Sequence, residues 1–114
     1  MHMHRIAFVM QVEPSMQEEY KRRHNPIWPE LEETLHRHGV VNYSIFLDPE
    51  SSRLFAYAEV EDLAQWRAIA ETEVCRRWWR HMSGIMPSNE DGSPVACELE
   101  EVFHIERSPR NSAE

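Results

Sequence analysis

The 114 residues, 41% of them apolar, suffice for one modest hydrophobic core, and a formal charge of -8 opposes a phosphate backbone. No basic run interleaved with aromatics and no apolar stretch long enough for a bilayer occurs, so neither nucleic acid nor a membrane is an expected partner. Met1 to Arg5 leads straight into strand-like sequence without a signal-peptide core, and Cys75 and Cys97 are too few for a disulfide framework or a structural zinc site; a cytoplasmic protein with both cysteines reduced and buried is expected.

Ile6, Phe8, Met10 and Val12 alternate with Ala7, Val9 and Gln11 before Glu13-Pro14 ends the run, the period of a half-buried strand. Ser15 with Glu18 three residues later has the capping-box pattern, so a helix is expected to start there. Pro26 and Pro29 each lack an N–H and deprive the carbonyls of Arg22 and Asn25 of partners, which predicts a break near Asn25. Asn25 is placed to cap a second segment with Pro26 at its first position, Leu31 and Leu35 on its apolar face and Gly39 as its stop. Val41, Tyr43, Ile45 and Leu47 share one side of a strand, Asp48 to Ser52 reverses the chain, and Leu54 to Val60 completes a hairpin.

Asp62 can cap a short helix presenting Leu63, Trp66 and Ile69, and Thr72 can cap another running from Glu73 to about Ser83. Pro87 to Pro94 is a loop, Cys97 to Ile105 a last strand. This order predicts an α+β fold, the ferredoxin-like split βαβ arrangement with helices on one face of an antiparallel sheet, as a single domain over residues 1–106 with a loose polar tail at 107–114. The uncovered sheet face must then meet a second subunit or house a ligand, and so small a core gains by pairing, so a homodimer is expected.

Tyr20 and His24, four apart, are neighbours on one helix face that points inward. A histidine beside an apolar face is ordinarily a core residue bonded to a carbonyl. His24, however, lies in the last turn before the proline break, where unpaired carbonyls favour imidazolium; a raised pKa there would suit a proton donor. Trp78 and Trp79 diverge by roughly 100° on a helix, so one can be core while the other lines a pocket. An indole can stack on a sugar's C–H face while its N–H binds a hydroxyl. Tyr43 shares its strand face with three aliphatics and reads as a core tyrosine. His36-x-His38 has the wrong spacing for joint coordination, Met1-His2-Met3-His4 is a short terminal run, and the three glycines form no phosphate-cradling cluster; neither a metal site nor a nucleotide site is expected.

Three stretches, Ala7 to Val12, Tyr20-Lys21-Arg22-Arg23-His24-Asn25-Pro26-Ile27-Trp28-Pro29-Glu30-Leu31, and Cys75-Arg76-Arg77-Trp78-Trp79, closely resemble the L-rhamnose mutarotases, and the resemblance runs through almost the whole chain. It implies a dimeric α/β-barrel type of fold, no cofactor, and interconversion of the anomers of L-rhamnose in the cytoplasm during breakdown of that sugar. It further implies that His24 is the catalytic proton donor and that Tyr20, Tyr43, Trp78 and Trp79 bind the sugar. Two other readings suit such a fold: a non-catalytic dimeric barrel that only binds a sugar, and a small monooxygenase.

Overall fold

The computed structural model describes residues 3–107. The elements follow in the order β1 (His4–Gln11), α1 (Gln17–Arg23), α2 (Pro29–Arg37), β2 (Val40–Asp48), β3 (Arg53–Val60), α3 (Leu63–Ala68), α4 (Glu73–Met82) and β4 (Cys97–Glu98). The strands make one antiparallel sheet in the order β2-β3-β1-β4, the split βαβ arrangement that the sequence predicts.

On one face of the sheet Met10, Leu54 and Ala56 meet Tyr20 of α1, Leu31 of α2 and Val74, Trp78 and Met82 of α4 in the main core. Further along the same face Val40, Ala58 and Val60 pack with Ile69 and Cys75. Alternation along β1 and β3 thus puts the helices on one side, as period-two strands require.

Several boundaries differ from expectation, each for a local reason. Ser15 does not cap α1: Pro14–Met16 forms a 3-10 turn, Met16 occupies the cap position without a side-chain bond, and Gln17 reaches across to Pro49 O and Ser52 Oγ. The break falls after Arg23 as the prolines predict, but Pro29, not Pro26, is the first residue of α2, and the Asn25 side chain donates back to Lys21 O. A register shift between Val40 and Asn42 turns Val41 to solvent and buries Val40 in its place. Asp62 and Thr72 cap α3 and α4 as expected, accepting from Gln65 N and Cys75 N. Of the expected strand from Cys97 to Ile105 only Cys97–Glu98 is formed; one more ladder bond, Leu99 N to Ala7 O, follows, and the chain then leaves the ladder, with the Arg5 guanidinium donating to the Glu101 carboxylate beyond it. Cys97 is exposed rather than buried, because it sits on this short edge strand, while Cys75 is buried on α4. The tail from residue 108 onward lies outside the described residues.

Candidate functional site

The hairpin supplies the space for a site. Opposite Phe8 on β1 stands Ala56, and opposite Tyr43 on β2 stands Ala58, so the central strand carries small side chains where its neighbours carry rings. Phe8 and Tyr43 lean together over these alanines, ring centroids 6.4 Å apart and edge to face. Between this floor and the helices lies a cavity of about 980 Å³, at the upper end of the range for small-molecule sites. The cavity is therefore on the helix-covered face, not on the uncovered face where the layer argument allowed a ligand. Tyr20, His24, Tyr43, Trp78 and Trp79 all line it.

His24 occupies the C-cap of α1. Its ring stacks on Tyr20 at 4.3 Å and meets the edge of Trp78 at 5.1 Å. Nδ1 lies 2.9 Å from Tyr20 O, and since a carbonyl only accepts, Nδ1 carries the proton and donates it there. Nε2 is then the bare nitrogen of the neutral ring. It has no protein partner among the described residues and is not sealed from solvent, which leaves its lone pair open at the cavity wall. Burial lowers the His24 pKa, outweighing the upward push of the Tyr20 carbonyl. The expected rise does not occur, because the helix end that favours the cation also lies in an apolar aromatic nest that penalises it.

Tyr20 is buried on α1 and Tyr43 half-buried on β2, and desolvation pushes both phenols above their ordinary value, with Tyr43 adding to the effect on Tyr20. Both stay protonated at neutral pH. Neither hydroxyl has a protein partner among the described residues, and neither is sealed from solvent, so both can donate to a ligand in the cavity. Tyr43 thus lines the cavity as well as packing on the core.

Trp78 is buried and wedged edge-on between His24 and Trp28, both at 5.1 Å, while Trp79 is half-buried and touches both core clusters. The expected division, one indole in the core and one at a pocket, is not kept: the cavity reaches both rows of α4. Trp66 lines it as well, a residue the sequence pattern assigns only to the apolar face of α3. His36 and His38 turn their Nδ1 atoms onto Val40 O and Thr34 O, and among the described residues no three His, Cys, Asp or Glu side chains are grouped to hold a metal ion. Met1 and His2 lie outside the described residues.

Residues 5–105 match the family model described as L-rhamnose mutarotase. A relative named L-rhamnose mutarotase from Cronobacter sakazakii is 59% identical over 102 residues, covering 90% of this chain and 98% of that protein. Another of the same name from Shigella flexneri serotype 5b is 57% identical over 101 residues, covering 89% and 97%. The crystal structure of an L-rhamnose mutarotase from Formosa agariphila superposes with a TM-score of 0.81 at 43% identity, covering 90% of this chain and 99% of that one. A Nitrosomonas europaea structure, assigned provisionally to the antibiotic biosynthesis monooxygenases, gives a TM-score of 0.60 at 15% identity over 90% and 92% of the two chains; at that identity the likeness is one of fold alone.

Proposed function

This chain belongs to the L-rhamnose mutarotase family, and we propose that it interconverts the α and β anomers of L-rhamnose by opening and reclosing the pyranose ring, as part of the breakdown of that sugar. The observation that carries the reading is a histidine of fixed tautomer whose free Nε2 stands in a cavity beside two phenol donors.

Mutarotation moves one proton from the anomeric hydroxyl to the ring oxygen, two oxygens on the same carbon, so one imidazole can serve both. In the proposed cycle His24 Nε2 takes the anomeric proton, the bond between C1 and the ring oxygen breaks with its electron pair passing to that oxygen, and the imidazolium returns the proton there. The donor role that the family resemblance assigns to His24 is the second half of this transfer. The aldehyde turns about its C1–C2 bond and the same steps run backwards on its other face. Tyr20 and Tyr43, held protonated, donate to sugar hydroxyls, and the indoles of Trp78 and Trp79 cover an apolar face of the ring. Every step uses side chains of the protein, with no cofactor.

The same proposal takes residues 1–106 as the domain, 107–114 as its tail, the cytoplasm as its location and a homodimer of the α/β-barrel type as its assembly. Two unpaired cysteines suit a reducing compartment, and no helix among the described residues is long and apolar enough to cross a membrane. The homodimer is supported by the sheet face away from the helices: Phe46, 65% exposed, pairs with Phe55, which neighbours Val9. The segment after β4 also holds out Val102 at 87% exposure, with Phe103 and Ile105. Sedimentation of the protein at micromolar concentration should give twice the chain mass, and Phe46→Glu should shift it to monomer; a monomeric wild type would refute the assembly.

Saturation-transfer NMR between the two anomeric protons of L-rhamnose tests the activity. Exchange that scales with protein concentration is expected, and exchange at the spontaneous rate with folded protein would overturn the reading.

A further inference from the structure

We propose that Trp66 is a substrate-binding residue that reads the C3–C4 edge of the sugar from the end of the cavity opposite His24. The orientation of the sugar in this argument rests on the mutarotase reading.

The rings around the cavity form two groups. Tyr20, His24 and Trp78 make one, joined by contacts of 4.3 and 5.1 Å and packed on the core around Met10 and Leu54. Phe8, Tyr43 and Trp66 make the other: the Trp66 indole lies 6.3 Å from Phe8 and 5.8 Å from Tyr43, tilted to both, and packs on the cluster around Ala58, Val60 and Ile69. On the central strand Ala56 of the first cluster and Ala58 of the second are two residues apart, about 7 Å at the usual rise, a span that one pyranose ring bridges. Trp78 thus lines the cavity beside the first cluster and Trp66 beside the second, with Tyr43 in contact with both clusters between them.

A tryptophan serving only the core would be buried with its N–H bonded. Trp66 is half-buried on a six-residue helix that buries none of its residues, and its Nε1 has neither a protein partner among the described residues nor a seal from solvent. It presents a flat apolar face and an unused donor, the pair of features that recognises a sugar's C–H face and an adjoining hydroxyl. The Asp62 cap sets the start of α3, and packing on Phe8 and Tyr43 positions the indole at the cavity. In a pyranose C3 lies across the ring from the ring oxygen and C4 across from C1. With His24 working at the C1 and ring-oxygen edge, the opposite edge faces Trp66, and the C4 hydroxyl configuration is sensed there.

The experiment has two readouts on the full-length chain. In proton–nitrogen spectra, with the Trp66 indole signal assigned by its absence in Trp66→Phe, addition of L-rhamnose should move that signal saturably. In the anomer-exchange assay Trp66→Phe should raise KM for L-rhamnose about tenfold, the worth of one hydrogen bond, with kcat within about twofold, and should narrow the preference for L-rhamnose over its C4 epimer, 6-deoxy-L-talose. A Trp66 signal that stays still at saturating sugar, or an unchanged KM and preference, would overturn the proposal. A wild type whose Trp66 signal moves but which shows no exchange would sink the mutarotase reading and leave Trp66 as a sugar contact. The wild-type spectrum decides even where Trp66→Phe alters KM through packing alone.

Discussion

The end of α1 and the end of α2 are finished by the same device. His24 donates from Nδ1 to the carbonyl four residues back at 2.9 Å, and His38 does so at 2.8 Å, each ring closing the last turn of its helix. Both rings are half-buried, and in each the carbonyl holds a proton on Nδ1. The surroundings differ. His38 leads through Gly39, at φ +86, directly into β2, whereas His24 stands before the proline break, stacked on Tyr20 and faced by Trp78 at the wall of the cavity. A capping contact decides which nitrogen is bare, and the cavity decides whether that nitrogen has anything to act on.

Filling the cavity makes the first helix end resemble the second. Ile45 lines it from β2, and Ile45→Trp should project a ring into open space, leaving His24 and its carbonyl bond intact while anomer exchange of L-rhamnose drops to the spontaneous rate. Acid acts on His24 directly. Its pKa lies below the ordinary value near 6.5, so exchange should be flat around neutrality and fall about tenfold per unit once pH drops beneath that depressed pKa. Between the depressed pKa and about 6.5 the unfolded chain binds more protons at this site than the folded one, so stability to urea should also decline as pH falls through that window. An activity limb rising toward acid would contradict the neutral starting state. Tyr20→Phe keeps the backbone carbonyl and removes only a hydroxyl, and should lower kcat/KM by about 2–10-fold, one hydrogen bond's worth. His38→Ala should change exchange by less than about twofold and cost about 1 kcal/mol of stability in urea unfolding, the ordinary value of such a bond; a large loss of activity would mean that the surroundings do not distinguish the two helix ends.

Strand alternation, the proline break and the caps Asp62 and Thr72 were legible because each depends on residues within a turn of one another. Ser15 misled because its capping box competes with Pro14 before it and with the long-range bonds of Gln17 after it. The extent of β4 was illegible because Leu99 to Ile105 is rich in strand-forming residues, yet pairing depends on a distant edge, and the ladder with β1 stops at Leu99, short of His4 to Ile6. At the site, the four-residue spacing put Tyr20 and His24 side by side, and the family resemblance added roles for Tyr43 and both tryptophans. The direction of the His24 shift was lost because proximity in sequence reveals the helix end, whereas part of what buries the ring, Trp78, lies more than fifty positions away. Trp66 read as core for the same reason: Ala56 and Ala58, which leave the space before it, lie on a different element.

The central claim is that His24 carries the proton between the two oxygens of the anomeric carbon, and it is tested most directly by anomer exchange of L-rhamnose with wild type and His24→Ala at neutral pH. A loss of about 10²–10⁴-fold in the variant, with the sugar still binding and the fold intact, is the predicted result. Exchange by His24→Ala at the wild-type rate would contradict it.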